Sequence, residues 1–138
     1  SLSSIPDATW KYLYSKQPYS GPAEILFTLK RSKLKRKCYD SLPLMTRHLC
    51  HEHIVPVLSG CEMKQGMQLF RKIDNKFPKK GRFISYLFLL EYILEGIGRS
   101  DMLPYINRIQ CPRRRRQYVD RITEIVGSEP SDPYDSSC

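Results

Sequence analysis

Apolar positions along this chain recur with helical rather than strand spacing. The clearest case follows Ser59-Gly60, where Met63, Met67, Phe70, Ile73 and Phe77 are separated by four, three, three and four positions. That spacing puts them on one face of an α-helix, which Pro78 ends. Residues 83–94 are apolar nearly all round, interrupted by Ser85 and Glu91. Such a stretch is long for a strand and ordinary for a helix, so it predicts the central buried helix of a bundle. Gly96 and Gly98 suit the C-terminal end of that helix.

Helix punctuation predicts the remaining elements. Ser4, Pro6 and Asp7 offer a cap, a first-turn proline and an acid three residues after the cap, with Trp10, Leu13 and Tyr14 inward. The KQPYSGP segment, 16–22, stops that helix, and Ser20 can cap a second one carrying Ile25, Leu26 and Leu29. A third begins near Asp40, accommodates Pro43 in its first turn and uses Leu42, Met45 and Leu49 as its apolar stripe. A short helical turn runs from Ser100 and Asp101 through Leu103, Pro104 and Ile106. A last helix uses Tyr118, Val119, Ile122, Ile125 and Val126 and stops at Gly127. No segment alternates with a period of two, and no repeat stands out. The expected architecture is all-α, a compact bundle of about six or seven short helices forming one domain over 1–127. The polar, proline-punctuated segment 128–138 is expected to be a disordered acidic tail.

Composition narrows the class. With 138 residues and 41% hydrophobic content, the chain is long and apolar enough for a core. No run approaches the roughly 20 apolar residues that span a bilayer, so no membrane association is expected. There is no basic-then-apolar opening of a secretory signal. Five cysteines, an odd number without a pairing pattern, are expected to be reduced thiols in an intracellular setting.

Charge supplies the functional lead. The segment 128–138 holds Glu129, Asp132 and Asp135 and no base, which leaves 23 basic against 11 acidic side chains, net +12, over 1–127. Such an excess favours a polyanionic partner, nucleic acid first, with a merely solvated surface as the alternative. Three clusters carry it. Lys30, Arg31, Lys33, Lys35, Arg36 and Lys37 lie between the second and third predicted helices. Lys76, Lys79, Lys80 and Arg82 precede the central helix, and Arg113, Arg114, Arg115 and Arg116 open the last one. Cations at a helix N-terminus oppose the macrodipole and repel one another, and phosphate relieves both costs. A nuclear-localisation signal is the competing reading of such runs. Nine tyrosines could stack on unpaired bases, but Tyr86, Tyr92 and most others are expected to pack in or around the core.

Other chemistry is thinly supported. His48, Cys50, His51 and His53, with Cys61 downstream, are zinc-ligand types, but their spacing matches no standard finger. Cationic histidines at an exposed helix C-terminus are the simpler account. Cys50 near His48 and His51 also admits a nucleophile reading without a partner constellation. Phosphate-binding glycine loops, GxSxG elbows, two-histidine zinc helices and spaced carboxylate pairs are absent, so neither an enzyme nor a cofactor is expected.

Several stretches resemble the C-terminal helical region of the poxvirus late transcription factor 3-like family, carried also by other large DNA viruses and virus-related transposons. Residues 29–49, LKRSKLKRKCYDSLPLMTRHL, are similar to its basic LKK-x-Y-x-x-I-P segment. Residues 67–77, MQLFRKIDNKF, resemble its LF-x-x-I-x-x-x-F helix. Residues 82–105, RFISYLFLLEYILEGIGRSDMLPY, resemble its FxSYxxxLxxxxELxGxxDxLPY block, and Asp120-Arg121-Ile122 echoes a terminal aspartate–isoleucine helix. The aromatic, lysine-rich continuation of that helix is replaced here by TEIVG at 123–127, and the family's cysteine-rich region has no counterpart in this sequence. The resemblance implies a non-enzymatic factor of late viral transcription that works with DNA and transcription machinery in the nucleus or a cytoplasmic viral factory. The alternative function is a helical adaptor whose basic surface meets an acidic protein partner.

Overall fold

Six α-helices account for most of the described residues in the computed structural model, which describes residues 4–76 and 84–127. They are α1 (Asp7–Ser15), α2 (Pro22–Arg31), α3 (Leu42–Leu49), α4 (Gly60–Asp74), α5 (Tyr86–Gly96) and α6 (Pro112–Gly127). Short 3-10 helices occupy Tyr39–Ser41 and Ser100–Tyr105, and no strand occurs among the described residues. The fold is all-α, as the apolar spacing predicts. The positions expected of Phe77, Pro78 and Phe83, and the tail 128–138, lie outside the described residues.

The chain divides into two compact units. The first runs to Pro56 and includes Pro104–Asn107; the second comprises Val57–Leu103 and the residues from Arg108 onward. In the first unit, Leu13 of α1, Ile25 and Leu29 of α2, and Leu42 and Met45 of α3 are fully buried together. Trp10, Leu26 and Leu34 pack partly buried against them. Two predicted caps fall elsewhere. Pro6 and Gly21, not Ser4 and Ser20, take the N-cap positions of α1 and α2 without side-chain caps. Ser20 contributes its backbone instead, donating its N–H to the Glu24 carboxylate.

The second unit is organised around α5. Phe88, Leu89 and Ile93 bury against Leu69 and Ile73 of α4 and Ile122 of α6. Helix α4 starts with a complete capping box: Ser59 Oγ accepts from Glu62 N–H at 3.0 Å, and Glu62 Oε1 accepts from Ser59 N–H at 2.9 Å. The predicted face of α4 is only partly the buried one. Ile73 is in the core with Leu69, whereas Met63 and Met67 are 58% and 48% exposed. Tyr86 also departs from expectation, standing 67% exposed at the start of α5, while Tyr92 packs against the core. Helix α5 closes on Gly98, whose φ of +80° is the left-handed conformation glycine adopts without strain. Arg99 N–H donates to Leu94 carbonyl at 2.8 Å and Gly98 N–H to Glu95 carbonyl at 3.1 Å, the paired bonds of a Schellman motif.

Candidate nucleic-acid interface

The first basic cluster begins in the last turn of α2, where Lys30 and Arg31 complement the negative end of the helix dipole. The chain then leaves the helix with alternating exposure. Ser32 is buried and Leu34 and Cys38 pack against the first core, so Lys33, Lys35 and Arg36 face solvent. Hydrogen bonds fix this segment from two sides. Thr9 Oγ1 of α1 donates to the Arg36 carbonyl at 3.1 Å, and Ser32 Oγ donates to the Leu29 carbonyl at 2.7 Å. Lys37 turns back, its ammonium donating to the carbonyls of Lys30 and Ser32 at 3.3 and 3.0 Å. Lys37 is therefore a helix-end ligand, and it differs in that role from the cations beside it. Arg31 lies 5.3 Å from the centroid of the exposed Phe27 ring. No ion pair engages Lys30, Arg31, Lys33, Lys35 or Arg36 among the described residues.

Lys76, the described member of the second cluster, is exposed; Lys79, Lys80 and Arg82 lie outside the described residues.

The third cluster belongs to the second unit and is not uniform. Arg113, Arg114 and Arg116 are exposed and make no ion pair among the described residues. Arg115 is engaged. Its guanidinium donates to both oxygens of Glu91, at 2.9 and 3.1 Å, and to the Ile109 carbonyl at 3.0 Å, and stacks 5.1 Å from the Phe88 centroid. Glu91 is 1% exposed, inside the apolar face of α5, and also pairs with Arg108. A buried carboxylate is tolerated when charged donors satisfy it, so Arg115 is a structural partner of α5 rather than a displayed cation. The lone acid in an otherwise apolar run signals that some cation must reach it; nothing in the spacing identifies residues 108 and 115 as the donors. Just before the run, the exposed Cys111 thiol is held below its usual range. The backbone N–H of Arg114 contributes most, then that of Arg113, then the charges of both arginines.

The zinc-type residues do not converge on one point, although the His48 and His51 rings lie 6.5 Å apart. His48 shares a hydrogen bond with the Tyr14 hydroxyl and packs edge-on against Trp10, while His53 bonds the Tyr105 hydroxyl. Cys50 Sγ donates to the Tyr19 carbonyl at 3.5 Å. No cluster of three or more His, Cys, Asp or Glu suited to a metal occurs among the described residues. Cys50 is also a poor nucleophile, since burial pushes its thiol up. Among the described cysteines, Cys38, Cys50 and Cys111 are free, but Cys61 is disulfide-bonded, which corrects the expectation of uniformly reduced thiols.

No described helix is long and apolar enough to cross a membrane. No family model matches the chain, and no curated protein or solved structure matches it either.

Proposed function

We propose that the protein is a non-enzymatic, basic helical factor that associates with nucleic acid through Lys30, Arg31, Lys33, Lys35 and Arg36, joined by Arg113, Arg114 and Arg116. One observation carries the reading: these eight cations are exposed and without ion pairs among the described residues. Arg99, Arg108 and Arg115, by contrast, are bound to carboxylates. Uncompensated exposed charge on a segment held in place by hydrogen bonds is what a phosphate backbone requires. The resemblance to the poxvirus late transcription factor 3-like family supports duplex DNA as the partner. It also supports work alongside transcription machinery, in the nucleus or a cytoplasmic viral factory. Lys37 and Arg115 are left out of the interface because both are hydrogen-bonded within the protein.

Anisotropy titrations of labelled duplex DNA, single-stranded DNA and RNA across a salt series test this. Each phosphate contact adds about 0.9 to the slope of log K against log salt for duplex DNA. The triple substitution Lys33→Ala, Lys35→Ala and Arg36→Ala is expected to lower that slope by about 2 to 3. Absence of binding to all three probes at low salt would falsify the proposal.

A second reading, a helical adaptor for other proteins, is favoured by a separate observation, the exposed methionines of α4.

A further inference from the structure

Within the first unit, α2 and the segment that follows α1 border an open cleft of about 310 Å³. Phe27 lines it and stands 58% exposed. Ala23, one turn earlier on α2, and Pro18 also line the cleft and are short, so they cover little of the ring. One turn further along α2, the Arg31 guanidinium lies 5.3 Å from the ring centroid, a cation–π contact. Lys30, on that same turn, is exposed. A single exposed phenylalanine is ordinary on a protein surface. What distinguishes Phe27 is its place on the border between a cleft and a basic cluster.

Charge is laid out in two parts around it. The cleft lining holds one base, Lys16, and one acid, Glu24, which offset each other. Both are engaged within the protein: Glu24 accepts the Ser20 N–H, and the Lys16 ammonium lies 5.7 Å from the Tyr12 centroid. On the other side of Phe27 the charge has one sign. Residues 30–37 carry Lys30, Arg31, Lys33, Lys35, Arg36 and Lys37 and no acid, and the next acid in the chain is Asp40. A nucleotide has the same division, a flat neutral base joined to an anionic phosphate. In a duplex the faces of the bases are covered by stacking, so only an unpaired base offers a face to an aromatic ring.

We infer that Phe27, backed by Arg31, is the stacking seat for one unpaired base of a single strand whose neighbouring phosphates run onto Lys30, Lys33, Lys35 and Arg36. The inference rests on the nucleic-acid reading and sharpens it, because it makes the first unit a reader of unpaired strand, including strand opened from a duplex.

Anisotropy on the full chain with a labelled oligothymidylate, an oligouridylate, an abasic strand of equal length and a blunt duplex tests it. Phe27→Ala is expected to weaken binding to the thymidylate or the uridylate strand by about fivefold or more, the low end for losing one stacked base. No phosphate contact is removed, so the slope of log K against log salt should stay at the parent's value, unlike that of the Lys33, Lys35 and Arg36 triple variant. On the abasic strand and the duplex, Phe27→Ala and the parent should agree within twofold. Phe27→Trp should keep the affinity and add fluorescence beyond that of Trp10, quenched by the base-bearing strands and not by the abasic one. Phe27 is more than half exposed, so both variants should keep the parent's melting temperature. If the parent binds no probe at low salt, the nucleic-acid reading falls and this inference falls with it. If the parent binds, the inference alone is overturned by a smaller loss on both base-bearing strands, or by an equal loss on the abasic strand or the duplex.

Discussion

A carboxylate buried inside an apolar helix survives because Arg115 supplies two charge-assisted hydrogen bonds and Arg108 a further ion pair. Removing one partner of such a group costs more than removing a surface ion pair, since the remaining charge loses its compensation. Arg115→Ala is therefore expected to lower unfolding free energy by about 2–3 kcal/mol, the low end for buried pairs because Arg115 retains some exposure and Arg108 remains. Arg114→Ala, an exposed change, should stay within about 0.5 kcal/mol. Urea melts of the two variants give the comparison, and equal effects would remove the structural distinction between them. The DNA titration should show the opposite order, with Arg114→Ala lowering the salt slope and Arg115→Ala leaving it nearly unchanged. At this scale the sequence is least informative. Four consecutive arginines look equivalent, and which one turns inward depends on the rotation of α6 against α5, a long-range packing fact. His48, Cys50 and His53 likewise look like one cluster, yet they pair with Tyr14, Tyr19 and Tyr105 from three other segments.

Helices reveal themselves more readily than their faces. Apolar spacing and helix punctuation together locate the six α-helices to within a few positions, because both are properties of each segment alone. On α4 the helical period fits two overlapping stripes, and Leu69 with Ile73 occupies the core while Met63 and Met67 line an apolar groove against α5. Burial of a stripe depends on its neighbour, which local spacing does not encode. Caps divide the same way. Ser59 and Gly98 act where sequence punctuation puts them, whereas Pro6 and Gly21 displace the expected serines at α1 and α2. The Schellman geometry makes Gly98 sensitive to any side chain, because φ of +80° is strained for L-residues. Gly98→Ala is expected to cost about 1–2 kcal/mol even though nothing lies within 4 Å of the added Cβ. Thermal melts that match the parent would mean the turn relaxes at no cost.

Across the described residues, two acids of the second unit share one cation. Arg99 donates to Glu62, Asp101 and the Val57 carbonyl, so one guanidinium joins the segments at 57–62 and 99–101. Both carboxyls are held below their ordinary ranges, Glu62 chiefly by the Ser59 N–H and then by Arg99, Asp101 chiefly by Arg99. A depressed folded-state value stabilises the fold above the unfolded-state pKa, and that stability is lost as pH falls through the folded value. The protein should therefore melt at progressively lower temperature below about pH 4. Glu62→Gln should reduce the melting temperature at neutral pH, and the gap to the parent should narrow on acidification; a gap constant with pH contradicts the assignment. The all-helical class follows from pattern and composition, and the net basic charge from counting. Division into two units does not, because Pro104–Asn107 joins residues before Pro56 through contacts distant in sequence.

The tethering of segment 32–38 has a consequence for association. Thr9 fixes its carbonyl side, Lys37 its helix end, and Leu34 and Cys38 root it in the first core. Ordering a free backbone costs roughly 1–2 kcal/mol per residue, and here folding has already ordered it. A polyanion that reached Lys33, Lys35 and Arg36 would meet a preorganised display, and under the proposed function counterion release would drive binding there with little conformational entropy lost by the protein.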